Sequence, residues 1–403
     1  MLMGLMMLTG LRAKTVKYSA GMIAALLVVG APGWLSAAAA ATARPSSVSG
    51  DMSASLNGRL AGLAVASTAP VHSGLSASVG GRLSGVAVIS RWSAWAVGET
   101  TSGKTLIMRW NGTAWHQVSS PTPRTGGLLN GVAVASARSA WAVGDTFVGG
   151  LPRTFILHWN GAAWKRSPSP TPSGGGSLSG VAVVSARSAW AVGLAGSSGA
   201  ATLILHWNGA VWKRVPSPTP NGGGVLSGVA VVSARSVWAV GNSSVALTFR
   251  PLTLRWNGVA WKRVPTPSLK SIGSLADVVV VSARSVWAVG DTFVGGLPRT
   301  LIFHWNGTAW KRSSSPTPTG GGSLSGVAIV SARSVWAVGG TESGKTLILA
   351  WNGVAWQQAP SPTPKGGGSL TRLAIVSARS ALAVGAADLG KTLILQWNGA
   401  TWK

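Results

Sequence analysis

From residue 83 to the end of the chain, apolar runs of five to eight residues alternate with Gly, Ser, Asn and Pro punctuation, and no stretch carries a sustained helical apolar period. The segment 178–220 is typical. LSGVAVVS is followed, after Ala186 and Arg187, by SAWAVG; TLILHW comes next, and VWKRV follows Asn208-Gly209. Four β-rich runs separated by turn residues predict a four-stranded meander. The Asn-Gly pair predicts a tight type I′ hairpin between the third and fourth strands, because that turn requires positive φ at both central positions. Both faces of such a meander are apolar, so it cannot stand alone.

The unit repeats. Trp-Asn-Gly begins at Trp110, Trp159, Trp207, Trp256, Trp305, Trp351 and Trp397, a period of 46 to 49 residues, and the ten residues DTFVGGLPRT occur twice, at 145–154 and 291–300. This period lies in the range of propeller blades and above that of leucine-rich repeats. Radial stacking of meanders buries their faces and removes long open edges. The expected fold is therefore all-β, a seven-bladed β-propeller of four-stranded antiparallel blades over residues 83–403. Six or eight blades are the alternatives, because residues 56–80 resemble half a blade and the chain stops at Lys403, just inside a seventh fourth strand. An N-terminal strand completing the last blade would fasten the ring.

The first run of each unit, rich in Gly, Ala and Val, suits the crowded strand beside the axis. Trp belongs to the later strands, where blades diverge. It forms three series: Trp95, Trp141, Trp190, Trp238, Trp287 and Trp336 in the second strand, with Leu382 in the last copy; the seven of the triplets; and Trp115, Trp164, Trp212, Trp261, Trp310, Trp356 and Trp402 in the fourth. A residue demanded once per blade is a packing residue, and large buried rings would be the main stabilisers of a fold without Cys. The fourth-strand set, nearest the rim, is expected to be the partly exposed one.

With these motifs in place, the chain resembles kelch-like and galactose-oxidase-like β-propellers. It is most similar to secreted bacterial repeat proteins whose units read SxxSxWAVG, TLIxxWNGxxW and PSPTP with Gly. The resemblance covers residues 83–403; it implies architecture and brings no functional residues with it.

The N-terminus changes the picture of where the protein works. Basic residues up to Lys17 lead into an apolar run at 22–29 and a small-residue tract ending in Ala41-Thr42-Ala43, the pattern of a secretory signal. The expected organisation is a signal segment at 1–43, an irregular segment with a partial blade at 44–82, and the propeller at 83–403. A secreted or cell-surface protein follows, with retention of the N-terminal segment as an anchor the alternative. No later apolar span suggests a membrane crossing, and a monomer is expected.

Thirty-four Lys and Arg face seven acids, giving a formal net charge of +27. Such a field attracts polyanions. The turn between first and second strands carries Arg138, Arg187, Arg235, Arg284, Arg333 and Arg379, with Trp92 in the first copy. In a propeller these turns share one face, so they would form a basic ring able to grip carboxylate, sulfate or phosphate. Lys165-Arg166, Lys213-Arg214, Lys262-Arg263 and Lys311-Arg312, at the start of fourth strands, would augment it. The bland counterpart is that each Arg only caps its turn.

Catalytic chemistry finds little support. Copper-radical oxidation requires Cys joined to Tyr; the chain has no Cys, and its one Tyr, Tyr18, lies in the signal segment. Sialidase-type hydrolysis lacks its Tyr and its Asp boxes. His158, His206 and His304 occupy one repeat position on different blades, so they read as a tolerant, solvent-facing position and not as a metal site. No cofactor is expected. The leading reading is a non-enzymatic binder of a surface polymer, such as an anionic polysaccharide or cell-wall polymer, or of a partner protein; nucleic acid is disfavoured by export. The rival is a glycan-active hydrolase or lyase, which would need Glu99, Asp277 or Asp388 to cluster in the channel. A repeat array without a selected ligand is the third reading.

Overall fold

The structure, a computed structural model, describes residues 79–196, 201–245, 248–388 and 390–403. The expected signal segment and nearly all of segment 44–82 lie outside them. The described chain forms seven antiparallel sheets in sequence order, spanning 81–117, 128–167, 176–214, 224–264, 273–313, 322–359 and 368–397. Six are four-stranded meanders. In the seventh, the fourth position is a bridge between Trp397 and Trp402, reinforced by reciprocal backbone hydrogen bonds between Gln396 and Lys403. The protein is a seven-bladed β-propeller.

The first strand of each blade touches the first strands of both neighbours, which places this segment innermost. Crowding there explains its composition. A β carbon on Gly85 would sit 3.1 Å from the Gly131 Cα, and one on Gly228 would sit 2.9 Å from the Asp277 Cα. Gly131, Gly180 and Gly326 hold the same place in their blades, and only blades five and seven carry side chains there, Asp277 and Arg372. The Arg372 guanidinium reaches back across blade six to Asp277, with Nε 3.8 Å from Oδ2, and donates to the Ser325 carbonyl on the way. Asp277 Oδ2 also accepts the Val327 N–H at 3.1 Å. The glycine of the WAVG motif has a different cause. A β carbon on Gly193 would fall 2.0 Å from the Ser177 carbonyl oxygen, beside the bulge in the first strand, and the conflict recurs at each equivalent position.

Seven apolar clusters fill the seven blade-to-blade interfaces. Each of six holds a Trp triad: the second-strand Trp of one blade meets the third- and fourth-strand Trp of the next. Trp238, for example, packs 5.0 Å from Trp305 and edge-on at 5.1 Å from Trp310. The seventh interface, which closes the ring, has Leu382 against Trp110 and Trp115. The expectation about exposure is reversed. All seven fourth-strand Trp are buried, whereas Trp110, Trp207, Trp256, Trp351 and Trp397 of the triplets are partly exposed. The fourth-strand ring points inward between blades, and the third-strand ring covers it from outside.

Ring closure joins blade one to blade seven through both packing and backbone pairing. Blade one packs its first strand on blade seven, and the Thr371 hydroxyl donates to the Leu83 carbonyl at 2.7 Å. Residues 79–81 add a short clasp: Gly80 bridges Lys391, Gly81 N–H donates to Gly390 O, and Thr392 N–H donates to Val79 O. The Pro-rich connectors are also more firmly held than their composition suggests. In five blades a buried third-strand Thr, such as Thr154, hydrogen-bonds the Ser and Thr of the connector, here Ser169 at 3.0 Å and Thr171 at 2.7 Å.

Candidate functional site

The arginine turns are built by the motif Ser-X-Arg-Ser. In blade two the first strand ends at Ser136, whose hydroxyl accepts the Arg138 N–H at 3.2 Å, and Ser139 opens the second strand opposite Ser136. The same bond recurs at Arg187, Arg235, Arg284, Arg333 and Arg379. The serine caps the turn and leaves the guanidinium out of it.

The neighbouring hairpin supports the arginine stem. Strands three and four are joined by four residues, Asn160–Ala163, between the paired Trp159 and Trp164, so the expected two-residue turn is not formed. Instead the Asn160 side chain accepts the N–H of Ala162 and Ala163, and Gly161 takes φ 97°. A β carbon on Gly161 would lie 3.2 Å from the Arg138 Cβ. Glycine thus provides both the left-handed turn and a flat seat for the aliphatic part of arginine. The corresponding glycines stand beside the other five arginines, and Gly112 stands beside Trp92.

All six arginines are exposed and emerge on the face shared by these turns and hairpins. None makes a side-chain hydrogen bond or ion pair among the described residues. Blade one, where Trp92 takes the arginine position, carries a cation as well: the Arg91 guanidinium lies 4.5 Å over the Trp92 ring. The repeat alignment hides Arg91 because it sits one position early. The side chains of Val259 and Val354, 84% and 85% exposed, project from the hairpins of the same face. The fourth-strand Lys-Arg pairs are exposed along the outer edge of the blades.

The acids lie apart from one another. Glu99 Oε1 pairs with Arg82 Nε at 2.6 Å, Asp277 with Arg372, and the Asp388 N–H is bound to the Gly367 carbonyl. Glu99, Asp277 and Asp388 belong to separate surroundings in blades one, five and seven, so the clustering needed for a hydrolase or lyase is not formed. Asp145 is buried between blades two and three, accepting the Ser177 hydroxyl at 2.6 Å and the Asn130 side-chain N–H at 3.3 Å. Burial lifts its carboxyl to about 6, against the downward pull of those two hydrogen bonds.

This shift has a definite sign. The folded state prefers the protonated acid, so the contribution of Asp145 to stability is complete below its ordinary value of 3.8 and is lost as pH rises through about 6. Asp145→Asn, which keeps an acceptor oxygen, is expected to raise stability at pH 8 by about 2 kcal/mol and to do little at pH 4. Urea unfolding of both proteins at the two pH values checks this; an equal effect at both would dismiss it.

The three histidines depart from the expectation of a solvent-facing position. His158 stacks on Trp141 at 4.2 Å, His206 lies 4.3 Å from Trp190, and His304 stacks on Trp287 at 4.1 Å. Each ring nitrogen also meets the serine that opens the second strand, Ser139, Ser188 or Ser285. Partial burial holds all three imidazoles below their usual pKa. Arg109 and Arg255 cover Trp95 and Trp238 in the same place. The position selects flat groups that lie on an indole.

No family model matches the chain, and no curated protein does. Among solved structures it is similar to YCF48 bound to D1 peptide, at 16% identity over 79% of this chain and 94% of that one, TM-score 0.55. It is similar also to the polysaccharide lyase PL25-ulvanlyase bound to GlcA(1-4)Rha3S, at 8% identity over 80% and 95%, TM-score 0.58. A third is the BP39L lectin from Burkholderia pseudomallei, at 12% identity over 81% and 98%, TM-score 0.55. At these identities the likeness is one of fold.

Proposed function

We propose that the protein is an exported binding propeller that holds an anionic surface polymer, such as an acidic polysaccharide, on its arginine face. One observation carries the reading: six exposed guanidiniums, joined by Arg91 over Trp92, repeat around one face of the ring without a hydrogen bond or ion pair among the described residues. Regular spacing on a rigid frame suits a ligand whose charges also repeat, since several weak contacts then add within one molecule. The chain's large excess of cations favours the encounter. Export rests on the apolar run and small-residue tract at the N-terminus. Propellers of the same fold include one bound to a peptide, one bound to a saccharide and a lectin, so this frame accommodates binding of either kind.

Retention of the purified chain on anionic and neutral polysaccharide matrices tests the proposal. Binding is expected on the anionic matrices only, and to weaken steeply between low and physiological salt, where screening shortens to about 8 Å. Substituting Arg138, Arg187 and Arg235 together by Ala is expected to lower affinity about tenfold or more. Retention that ignores salt, or that survives the triple substitution intact, would remove the arginine face from the account.

A further inference from the structure

We infer that the outer edge of blade five holds a site for a tetrahedral oxyanion, a sulfate or phosphate group, on the side of the ring opposite the arginine turns. A pocket of about 540 Å³ opens there. It is lined by Arg299 and Thr300 at the start of the third strand, Arg312 and Ser313 at the end of the fourth, and Ser314, Ser315 and Thr317 of the connector that follows. Third-strand starts and fourth-strand ends lie on the face away from the strand-three-to-four hairpins, so this pocket is separate from the arginine face.

Unused donors mark it as a ligand site. Neither Arg299 nor Arg312 makes a side-chain hydrogen bond, ion pair or ring contact among the described residues, and the Ser313 and Ser314 hydroxyls have no partner either. Thr300, by contrast, is buried and has Ser315, Thr317 and the Pro316 carbonyl about its hydroxyl, which fixes the floor. Two guanidiniums on different strands and hydroxyls on a third wall can address three or four oxygens of one group. A carboxylate has only two, which a single guanidinium can satisfy in bidentate fashion.

Comparison between blades sharpens the assignment. A third-strand Arg six residues before Trp, together with a fourth-strand Arg two residues after its own Trp, occurs in blades two, four and five. In blade four, Arg250 Nη1 donates to the Leu269 carbonyl at 2.5 Å and to the Ser271 carbonyl at 3.2 Å, so the connector has already taken this cation. The pocket left there is about 290 Å³. In blade two, Arg166 lies 5.8 Å over the Phe155 ring, and Pro168 stands where blade five has Ser314. Blade five has Leu301 in place of that Phe. Of the five differences between segments 145–176 and 291–322, Leu301 for Phe155 releases one guanidinium and Ser314 for Pro168 adds one hydroxyl, while Phe303, paired opposite Arg312, is fully buried.

The site is tested with inorganic sulfate and inorganic phosphate, titrated calorimetrically into the full chain at constant ionic strength set with chloride. Arg299→Ala and Arg312→Ala are each expected to raise the sulfate Kd about tenfold, and Arg263→Ala, the blade-four counterpart of Arg312, less than twofold. Arg299→Ala is expected to cost the same factor in a chain that already carries the Arg138, Arg187 and Arg235 substitutions, which separates this site from the polymer-binding reading. Competition by dextran sulfate or by polyphosphate then tells which polymer supplies the group; competition by either supports the site. Sulfate affinity that is equal in the parent, Arg299→Ala and Arg312→Ala chains, or that falls as much in Arg263→Ala, would overturn it.

Discussion

Trp238→Ala is expected to destabilise the propeller by about 3–5 kcal/mol, enough to leave a poorly folded chain at 37 °C. The indole is fully buried and meets Trp305, Trp310 and the Arg255 guanidinium, so its removal opens a void between blades four and five that neither sheet can close by moving alone. Loss of the two ring contacts adds about 0.5–1.5 kcal/mol each to the cost of transfer. Trp336→Ala, at an indole that is only partly buried, is expected to cost less. Circular dichroism during urea unfolding reads both, without relying on the fluorescence of the rings removed. A loss below about 1 kcal/mol for Trp238→Ala would mean that the interfaces are held by the innermost strands and not by the triads.

Arg372→Gly is the second large effect, about 3 kcal/mol, and it should be rescued by a second substitution. Removing the guanidinium leaves the largely buried Asp277 carboxylate with only backbone N–H donors. Breaking one side of such a pair costs more than the pair itself contributes. Burial already holds Asp277 above the usual carboxylate range, and Arg372 is the first influence pulling it down. Without Arg372 the acid rises further and takes up a proton more readily. Stability of the variant should therefore be retained best at low pH and fall as pH rises through the new value. Adding Asp277→Gly places glycine at all seven inner positions, as five blades already have it, and is expected to restore most of the loss. A double variant no more stable than Arg372→Gly would show that the inner ring depends on the guanidinium's bonds to the Ser325 and Ala276 carbonyls instead.

Much of the architecture was legible because a repeat multiplies every weak signal. One Trp-Asn-Gly says little; seven at a period of 46 to 49, six of them with WAVG and the last with Leu382 in its place, define a blade and its number. The reading failed where neighbours from another blade decide the outcome. The fourth-strand Trp seemed peripheral along the chain, yet six are covered by the second-strand Trp of the preceding blade and Trp115 by Leu382. His158 and Arg109 share a repeat position without sharing chemistry, and only the indole beneath them supplies the common cause. The arginine turns could be placed on one face from connectivity alone. Their seat on the hairpin glycines, the part played by Arg91, and the vacant donors of blade five all depend on contacts between segments far apart in sequence.

The way the ring shuts bears on how such a molecule can change over generations. Among the described residues every strand of blades one to six comes from its own repeat, and the clasp of residues 79–81 on blade seven is where the two ends of the repeat array meet, so between internal blades the boundary of a sheet coincides with the boundary of a repeat. Duplicating or deleting one genetic unit would thus insert or excise an intact wedge without orphaning a strand. The matching decapeptides of blades two and five, three units apart, are what copying in such cassettes leaves behind.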